Sequence, residues 1–290
     1  MIRRLIKYVA VKFRNLGLCS DIDKYLKSGC IPWSPGYKQY RYNILKDIPA
    51  NQTLLDSFAR GEPLLKGYGV GIDERVVEYP WLLSRMSLED GIVLDGGSAL
   101  NYPFLLEAPQ LSSKQLVILT LAPESTITKR QNISYMYGDL RKTLFRNDAF
   151  DMVVSISTLE HIGMDNAKLY TQDNQHNESE LDDYLKVIVE FHRILKPGGR
   201  FLMTVPFGKA QNLGWLYQFD SHRLKHVISA FGSDPKTITF YKYESGGWVL
   251  SNEGACAACE YYDVHSAPAP ASDLAAAARA VACLEFVKHA

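Results

Sequence analysis

The stretch IVLDGGS, residues 92–98, decides the fold of this chain. Its apolar half predicts a buried strand, and its two glycines predict a sharp turn where a Cβ would clash. Such a turn brings bare backbone N–H groups to the sheet edge at which open α/β sheets bind small molecules. The turn has little specificity alone, so its interpretation depends on the motifs that follow.

Three more motifs follow in a fixed order: GDL at residues 138–140, FDMVVSISTLEHI at 150–162 and LKPGGRF at 195–201. The series resembles the class I S-adenosylmethionine-dependent methyltransferases, in particular the type 11 branch that is similar to bacterial glycan and metabolite methyltransferases. The resemblance covers residues 86–208. It implies methyl transfer with S-adenosylmethionine as the cofactor.

The hydrophobic pattern around these motifs predicts strands that alternate with helices, which is typical of a parallel sheet covered on both faces. We therefore expect an α/β fold, a Rossmann-like doubly wound, mostly parallel seven-stranded sheet. The expected methyltransferase domain spans residues 87–290, after a helical and irregular cap at 1–86. Strands are predicted near residues 91–95, 115–120, 133–138, 150–156 and 200–205, a helix near 180–195, and further strand segments at 237–241, 247–250 and 281–287.

Composition restricts the partners and the compartment. The chain has 290 residues, and its 32 Lys and Arg balance 32 Asp and Glu, which argues against a nucleic-acid partner. No apolar run is long enough to span a membrane, and the N-terminus lacks a secretory signal. The 5 cysteines, an odd number, indicate no disulfide framework, so we expect a cytoplasmic protein.

Residues 1–18 mix basic and apolar side chains, and two interpretations are open. An amphipathic helix could make peripheral contact with a membrane surface. The favoured alternative is a helix that packs on the domain with its lysines in water.

Residues 31–43 contain two prolines and a glycine, so we expect no regular helix there. The segment is rich in aromatic residues and could be a lid that stacks on a sugar, or an anchor on the domain. Residues 74–86 predict a helix that covers the cofactor side of the sheet. The aromatic residues of the first segment are Trp33, Tyr37, Tyr40 and Tyr42.

The resemblance also implies which residues bind the cofactor. Asp95 and its loop would contact the methionine end, although a carboxylate that caps the turn is the alternative. Asp139 would accept a hydrogen bond from the adenine amine. Thr120 replaces the usual acid that binds both ribose hydroxyls, which costs roughly 1–2 kcal/mol of binding. The full implied set is Asp95, Gly96, Gly97, Ser98, Thr120, Asp139, Leu140, Ser157 and Leu159.

A hydroxyl acceptor needs a base for its proton, and His161 is the leading candidate because it follows the fourth core strand and titrates near neutral pH. Glu160 could orient the imidazole or line the cofactor site. The alternative is that this pair only caps the next helix. His176 is a second, weaker candidate.

Metal binding is not expected. Asp165, Asp173 and Asp182 could supply oxygen ligands, but a solvated loop is favoured. A zinc site is disfavoured because a single CxxC lacks a second pair at matching spacing. The candidate zinc ligands are Cys256, Cys259, His265 and Cys283.

The expected function is O-methylation of a small molecule or of a sugar or glycan precursor. Alternatives are an N- or C-methyltransferase of a metabolite, or a methyltransferase-like protein that binds without catalysis. A nucleobase-amine methyltransferase is disfavoured, because such enzymes need an Asn/Asp-Pro-Pro-aromatic motif after the fourth strand and residues 157–160 are STLE. A dehydrogenase is disfavoured because Gly96-Gly97-Ser98 lacks the third glycine of the dinucleotide motif.

Overall fold

The computed structural model describes residues 21–124, 126–167 and 177–289. The predicted core strands all form within about two residues of their expected positions, apart from an earlier start of the fifth. The strands are β1 Ile92–Gly96, β2 Gln115–Thr120, β3 Ile133–Tyr137, β4 Phe150–Ile156, β5 Leu195–Pro206, β6 Gln211–Asn212, β7 Tyr217–Gln218, β8 Thr237–Glu244, β9 Gly247–Ser251 and β10 Ala280–Val287.

Helices flank these strands and precede them. Two 3₁₀ turns lie at Ile48–Ala50 and Leu159–His161. The helices are α1 Tyr37–Lys46, α2 Gln52–Arg60, α3 Arg75–Leu83, α4 Pro103–Leu106, α5 Pro109–Ser112, α6 Tyr184–Ile194, α7 Ser221–Phe231 and α8 Glu253–Cys256.

The main sheet has eight strands in the order β3-β2-β1-β4-β5-β10-β8-β9. Strands β1 to β5 pair in parallel, and β10 runs antiparallel between β5 and β8. The expected Rossmann-like class is confirmed, but the expected number of seven strands is wrong by one. The extra strand β9 folds back on β8 through Gly247, whose φ of 106° permits the tight turn.

The sheet separates two apolar layers. On β10, Cys283 faces the layer that contains Trp81 of α3, whereas Leu284 faces the layer that contains Phe191 of α6. The alternation follows from the two-residue period of a strand. Helices therefore cover both faces, as expected for a doubly wound sheet.

The N-terminal part corrects one prediction. The expectation that residues 31–43 contain no regular helix is wrong from Tyr37 onward, because α1 begins there. The reason is that the prolines and Gly36 all precede the helix. Gly36 has a φ of 91°, and a Cβ on it would lie 2.2 Å from the carbonyl oxygen of Asp21.

The predicted helix within residues 74–86 forms as α3 and lies in the apolar layer beside the sheet, with residues 76–83 buried. None of the described helices is long and apolar enough to cross a bilayer. The basic segment at residues 1–18 lies outside the described residues, so its two interpretations stay predictions.

Candidate active site

The glycine turn after β1 lies flat against the end of β4. Gly97 has a φ of 118°, its N–H donates to the carbonyl of Leu119 at 2.9 Å, and a Cβ on it would lie 2.1 Å from Thr158 Oγ1. A Cβ on Gly96 would lie 2.7 Å from Phe191 Cζ. Side chains are thus excluded at both positions by close protein neighbours, and of the two glycines Gly97 lines a cavity, whereas Gly96 is buried.

Asp95 is completely buried beneath this turn. Its carboxylate accepts hydrogen bonds from the backbone N–H of Ala99 at 3.2 Å and of Leu100 at 2.8 Å. Burial raises the pKa of Asp95 to about 7, although the two hydrogen bonds act in the opposite direction. The contacts of Asp95 are therefore those of a residue that holds the turn in place.

A first cavity of about 210 Å³ opens at the carboxyl ends of β1 to β4. Asp95, Gly96 and Leu159 are buried behind its wall. Ser98, at a φ of 62°, has a buried hydroxyl with no partner among the described residues. The implied cofactor residues that line the cavity are Gly97, Thr120, Asp139, Leu140 and Ser157.

Arg141 closes one side of the first cavity and was missed by the sequence analysis. Its guanidinium contacts Asp139 at 2.7 Å, Glu178 at 2.6 Å and Asp183 at 2.6 Å. Burial acts to raise the pKa of Asp139, but the hydrogen bonds from Arg141 lower it. Asp139 is therefore ionised, and Arg141 fixes its orientation at the cavity wall.

A second cavity of about 530 Å³ adjoins the first, and Ser157 and His161 line both. Trp33 lies in its wall, where the indole N–H donates to the carbonyl of Ala276 at 2.6 Å. Tyr37, in contrast, is fully buried and serves as an anchor. Tyr37 therefore has the position of an anchor, whereas the role of the segment as a lid that stacks on a sugar stays a prediction. The wall of the second cavity also contains Arg41, Asp73, Glu74, Arg75, Glu160, Trp215, Tyr261 and His265.

His161 lies where the two cavities meet. Its Nδ1 is 2.9 Å from the carbonyl oxygen of Trp215. Because a carbonyl only accepts hydrogen bonds, Nδ1 carries the ring proton and donates a hydrogen bond to this oxygen, and Nε2 keeps a lone pair. Its ring stacks on the Trp215 ring at 5.4 Å between centroids. Burial lowers the pKa of His161 to about 4, so the imidazole is neutral at physiological pH. Glu160 Oε1 lies 3.9 Å from Nε2.

Glu78 links α3 to the sheet and was also missed. It is fully buried, and its Oε1 accepts hydrogen bonds from Ser157 Oγ and Thr204 Oγ1, both at 2.6 Å. Its other oxygen pairs with Arg75. The available signal was an acid within an apolar helix, since a buried charge needs a partner.

The metal candidates are not brought together. Asp165 accepts from the N–H of Ala167, and Asp182 is exposed near Arg223. Within residues 21–124, 126–167 and 177–289, no group of three or more His, Cys, Asp or Glu is arranged to hold a metal ion. Asp173 and His176 lie outside the described residues.

The four candidate zinc ligands are also separated. Cys283 packs in one apolar layer, whereas Cys256 and Cys259 pack in the layer on the other face of the sheet. His265 lies against Trp215 in the second cavity. The sequence spacing therefore does not correspond to a shared site.

Residues 105–203 match the model of the type 11 methyltransferase domain family. No curated protein matches the sequence.

Solved structures with a similar fold share little sequence with this chain. A chain from the complex of the Haloferax volcanii Trm112 methyltransferase activator is 16% identical, covers 73% of this chain and 89% of its own length, and has a TM-score of 0.47. A Burkholderia thailandensis 1,6-didemethyltoxoflavin-N1-methyltransferase, with bound 1,6-didemethyltoxoflavin and S-adenosylhomocysteine, is 13% identical, with coverages of 70% and 72% and a TM-score of 0.41.

The matched residues contain β2, β3 and β4 and most of β5, which carry three of the four motifs. The family match over residues 105–203 and the order of the sheet support a class I S-adenosylmethionine-dependent methyltransferase. The open turn at Gly97 and the ionised Asp139 fit this cofactor, since they offer close backbone approach and an acceptor for an amine.

Proposed function

We propose that this enzyme methylates a hydroxyl oxygen of a small molecule bound in the second cavity, with His161 as the base. The observation that carries the proposal is the position of His161 in the walls of both cavities. A group at this boundary lies beside the point where the acceptor oxygen must meet the methyl group.

The state of His161 suits this role. A hydroxyl loses its proton as its oxygen is methylated, so a base that holds a free lone pair accelerates the reaction. Because Nδ1 donates to the Trp215 carbonyl, Nε2 is the basic atom. Glu160 Oε1, at 3.9 Å from Nε2, lies beyond hydrogen-bond distance, but its carboxylate when ionised would stabilise the positive charge that His161 gains.

The cofactor would lie in the first cavity, where it supplies an electrophilic methyl group. Asp139 would accept from the adenine amine, and Thr120 would make a single hydrogen bond to the ribose. Gly97 would present its backbone to the methionine end. Holding the acceptor and the methyl group in line accounts for much of the rate in such a reaction.

More specifically, we propose that the small-molecule acceptor is a sugar or a glycan precursor. Trp33 and Trp215 give the second cavity aromatic faces, while carboxyl and guanidinium groups give it hydrogen-bonding partners. Flat apolar faces combined with polar groups suit a ring that carries several hydroxyls.

The test is the pair of variants His161→Ala and His161→Gln, assayed with labelled S-adenosylmethionine on a panel of sugars and sugar nucleotides. Loss of a general base lowers turnover about 100- to 10,000-fold. The affinity for S-adenosylhomocysteine, measured by calorimetry, should change less than about threefold, because no assigned cofactor contact is lost.

A pH profile at saturating acceptor adds a second readout. Since the pKa of His161 is lowered to about 4, the wild-type rate should stay constant down to about pH 5 and fall below that. Near-normal turnover of both variants would make His161 structural. A methyl group found on nitrogen or carbon would replace the proposal with the alternative reaction.

A further inference from the structure

We propose that the acceptor carries a protonated amine, which binds between the carboxyl groups of Glu74 and Glu160 in the second cavity while its hydroxyl faces His161. The acceptor class is then an amino sugar or a related amino alcohol. This inference rests on the proposed function, since it places the reacting hydroxyl at the same base.

Glu74 and Glu160 are two buried acids, each with one carboxyl oxygen that has no hydrogen-bond partner among the described residues. Their exposed fractions are 9% and 2%, and both line the second cavity. The Oε2 atom of each has no hydrogen-bond partner among the described residues. The two acids come from unrelated segments, one just before α3 and one in the turn after β4.

The guanidinium groups of the cavity are already engaged. Arg41 pairs with Asp73, and Arg75 pairs with Glu78. Asp73 additionally accepts from the Tyr37 hydroxyl at 3.2 Å. Each pair is neutral, so neither guanidinium has its whole charge available for a further acid, although Arg75 still acts to lower the pKa of Glu74 and of Glu160.

What remains is a pair of acids beside a neutral base. His161 carries no charge at physiological pH, and Lys38, which also lines this cavity, is exposed to solvent. Burial raises the pKa of Glu74 to about 7 and raises the pKa of Glu160 well above its ordinary value. A cationic ligand would offset the cost of ionising both acids, because an opposite charge nearby stabilises the ionised form.

The surrounding walls suit a cation as well. Trp33, Trp215 and Tyr261 present aromatic rings to the same cavity. Burial, and after it the charges of Glu74 and Glu160, raise the pKa of Tyr261. Ammonium groups bind favourably over aromatic faces, and more strongly where water is excluded.

The experiment measures binding rather than turnover. The full chain is saturated with S-adenosylhomocysteine and titrated by calorimetry with matched pairs, glucosamine against glucose and galactosamine against galactose. We expect the amine of a pair to bind at least tenfold more tightly than its neutral partner. In the double variant Glu74→Gln, Glu160→Gln the difference should fall below about twofold, whereas the exposed control Glu89→Gln should keep it.

Three results would overturn the inference. They are equal or tighter binding of the neutral sugars, no binding of either amine, and an amine preference that survives in the double variant. Since S-adenosylmethionine is itself a cation, its affinity is measured for each variant. Loss of that affinity with unchanged amine binding would assign the acids to the cofactor and would also reject the inference.

The two proposals fail in distinguishable ways. Selective amine binding with methylation at nitrogen would keep the acid pair as an ammonium site and reject O-methylation. Methylation of neutral sugars at oxygen without an amine preference would keep His161 as the base and reject the ammonium site.

Discussion

Two acids beside the first cavity and two beside the second differ in whether the protein supplies hydrogen-bond partners for all their oxygens. Around the first cavity, Asp95 accepts two backbone hydrogen bonds and Asp139 is held by Arg141. Around the second, Glu74 and Glu160 each keep an oxygen without a partner among the described residues. The first set of acids is satisfied by the protein, and the second set is not.

This difference separates two tasks. A satisfied acid fixes a loop and keeps its geometry whether or not a ligand is bound. An unsatisfied buried acid destabilises the fold until a ligand provides the missing charge or donor. We therefore expect variants at the first cavity to weaken cofactor binding. Variants of the unsatisfied acids at the second cavity should weaken acceptor binding and stabilise the ligand-free protein.

The largest expected effect is at the glycine turn. Gly97→Ala places a methyl group 2.1 Å from Thr158 Oγ1 at a φ of 118°, so the turn must move. Affinity for S-adenosylhomocysteine should fall more than about 100-fold by calorimetry, since the backbone that approaches the ligand is displaced. Gly246→Ala, in open space, is the control. Wild-type affinity of Gly97→Ala would show that this turn does not hold the cofactor.

An effect of intermediate size is expected at Glu74 in the second cavity, where a substitution should stabilise the ligand-free protein. The pKa of Glu74 is raised from 4.5 to about 7, so the folded state binds its proton more tightly than the unfolded state does. Stability of the ligand-free protein should therefore fall as pH rises from about 4.5 to about 7. At pH 8, Glu74→Gln should be more stable than wild type by up to about 3 kcal/mol, because each unit by which the pKa of Glu74 is raised corresponds to about 1.4 kcal/mol.

Urea unfolding across this pH range measures the Glu74 effect, with Glu89→Gln as an exposed control. Glu74→Gln should show a flatter dependence of stability on pH than wild type does. If the two proteins respond identically to pH, Glu74 has a partner that satisfies it, and the contrast between the cavities fails at this residue.

The smallest expected effect tests the residue in the ribose position. Thr120→Val keeps the shape of the side chain but removes one hydroxyl at the wall of the first cavity. A single neutral hydrogen bond is worth about 0.5–1.5 kcal/mol, so cofactor affinity should fall about two- to tenfold. Thr237→Val is the matched control, because the buried hydroxyl of Thr237 has no partner in the described structure. An unchanged affinity would mean that Thr120 makes no contact with the ribose.

Much of the fold could be predicted because its signals are local. The strands β1 to β4 are marked by runs of apolar residues, and the turn at Gly97 by residues that tolerate unusual backbone angles. The extra strand β9 was also visible as an apolar segment. Its place in the sheet was not predicted, because pairing between strands depends on contacts distant in sequence.

The candidate site was predicted unevenly for the same reason. Thr120 ends β2, and Asp139 and Ser157 follow β3 and β4 within two of the motifs. The three residues meet at one sheet edge because parallel strands end there. Glu74 and Arg41 belong to the segment before the sheet, which has no motif of its own. They reach the second cavity only because α1 and α3 pack over that edge.

The sequence by itself determined the alternation of strands and helices, the glycine turn and the presence of a histidine after β4. These features depend on side-chain size, hydrophobic period and backbone freedom, which act over a few residues. Only the tertiary structure decided that the lone pair of His161 is on Nε2 and that Glu74 and Glu160 each keep an oxygen without a partner among the described residues. Protonation and hydrogen bonding depend on burial and on neighbours from distant segments, and folding alone brings those together.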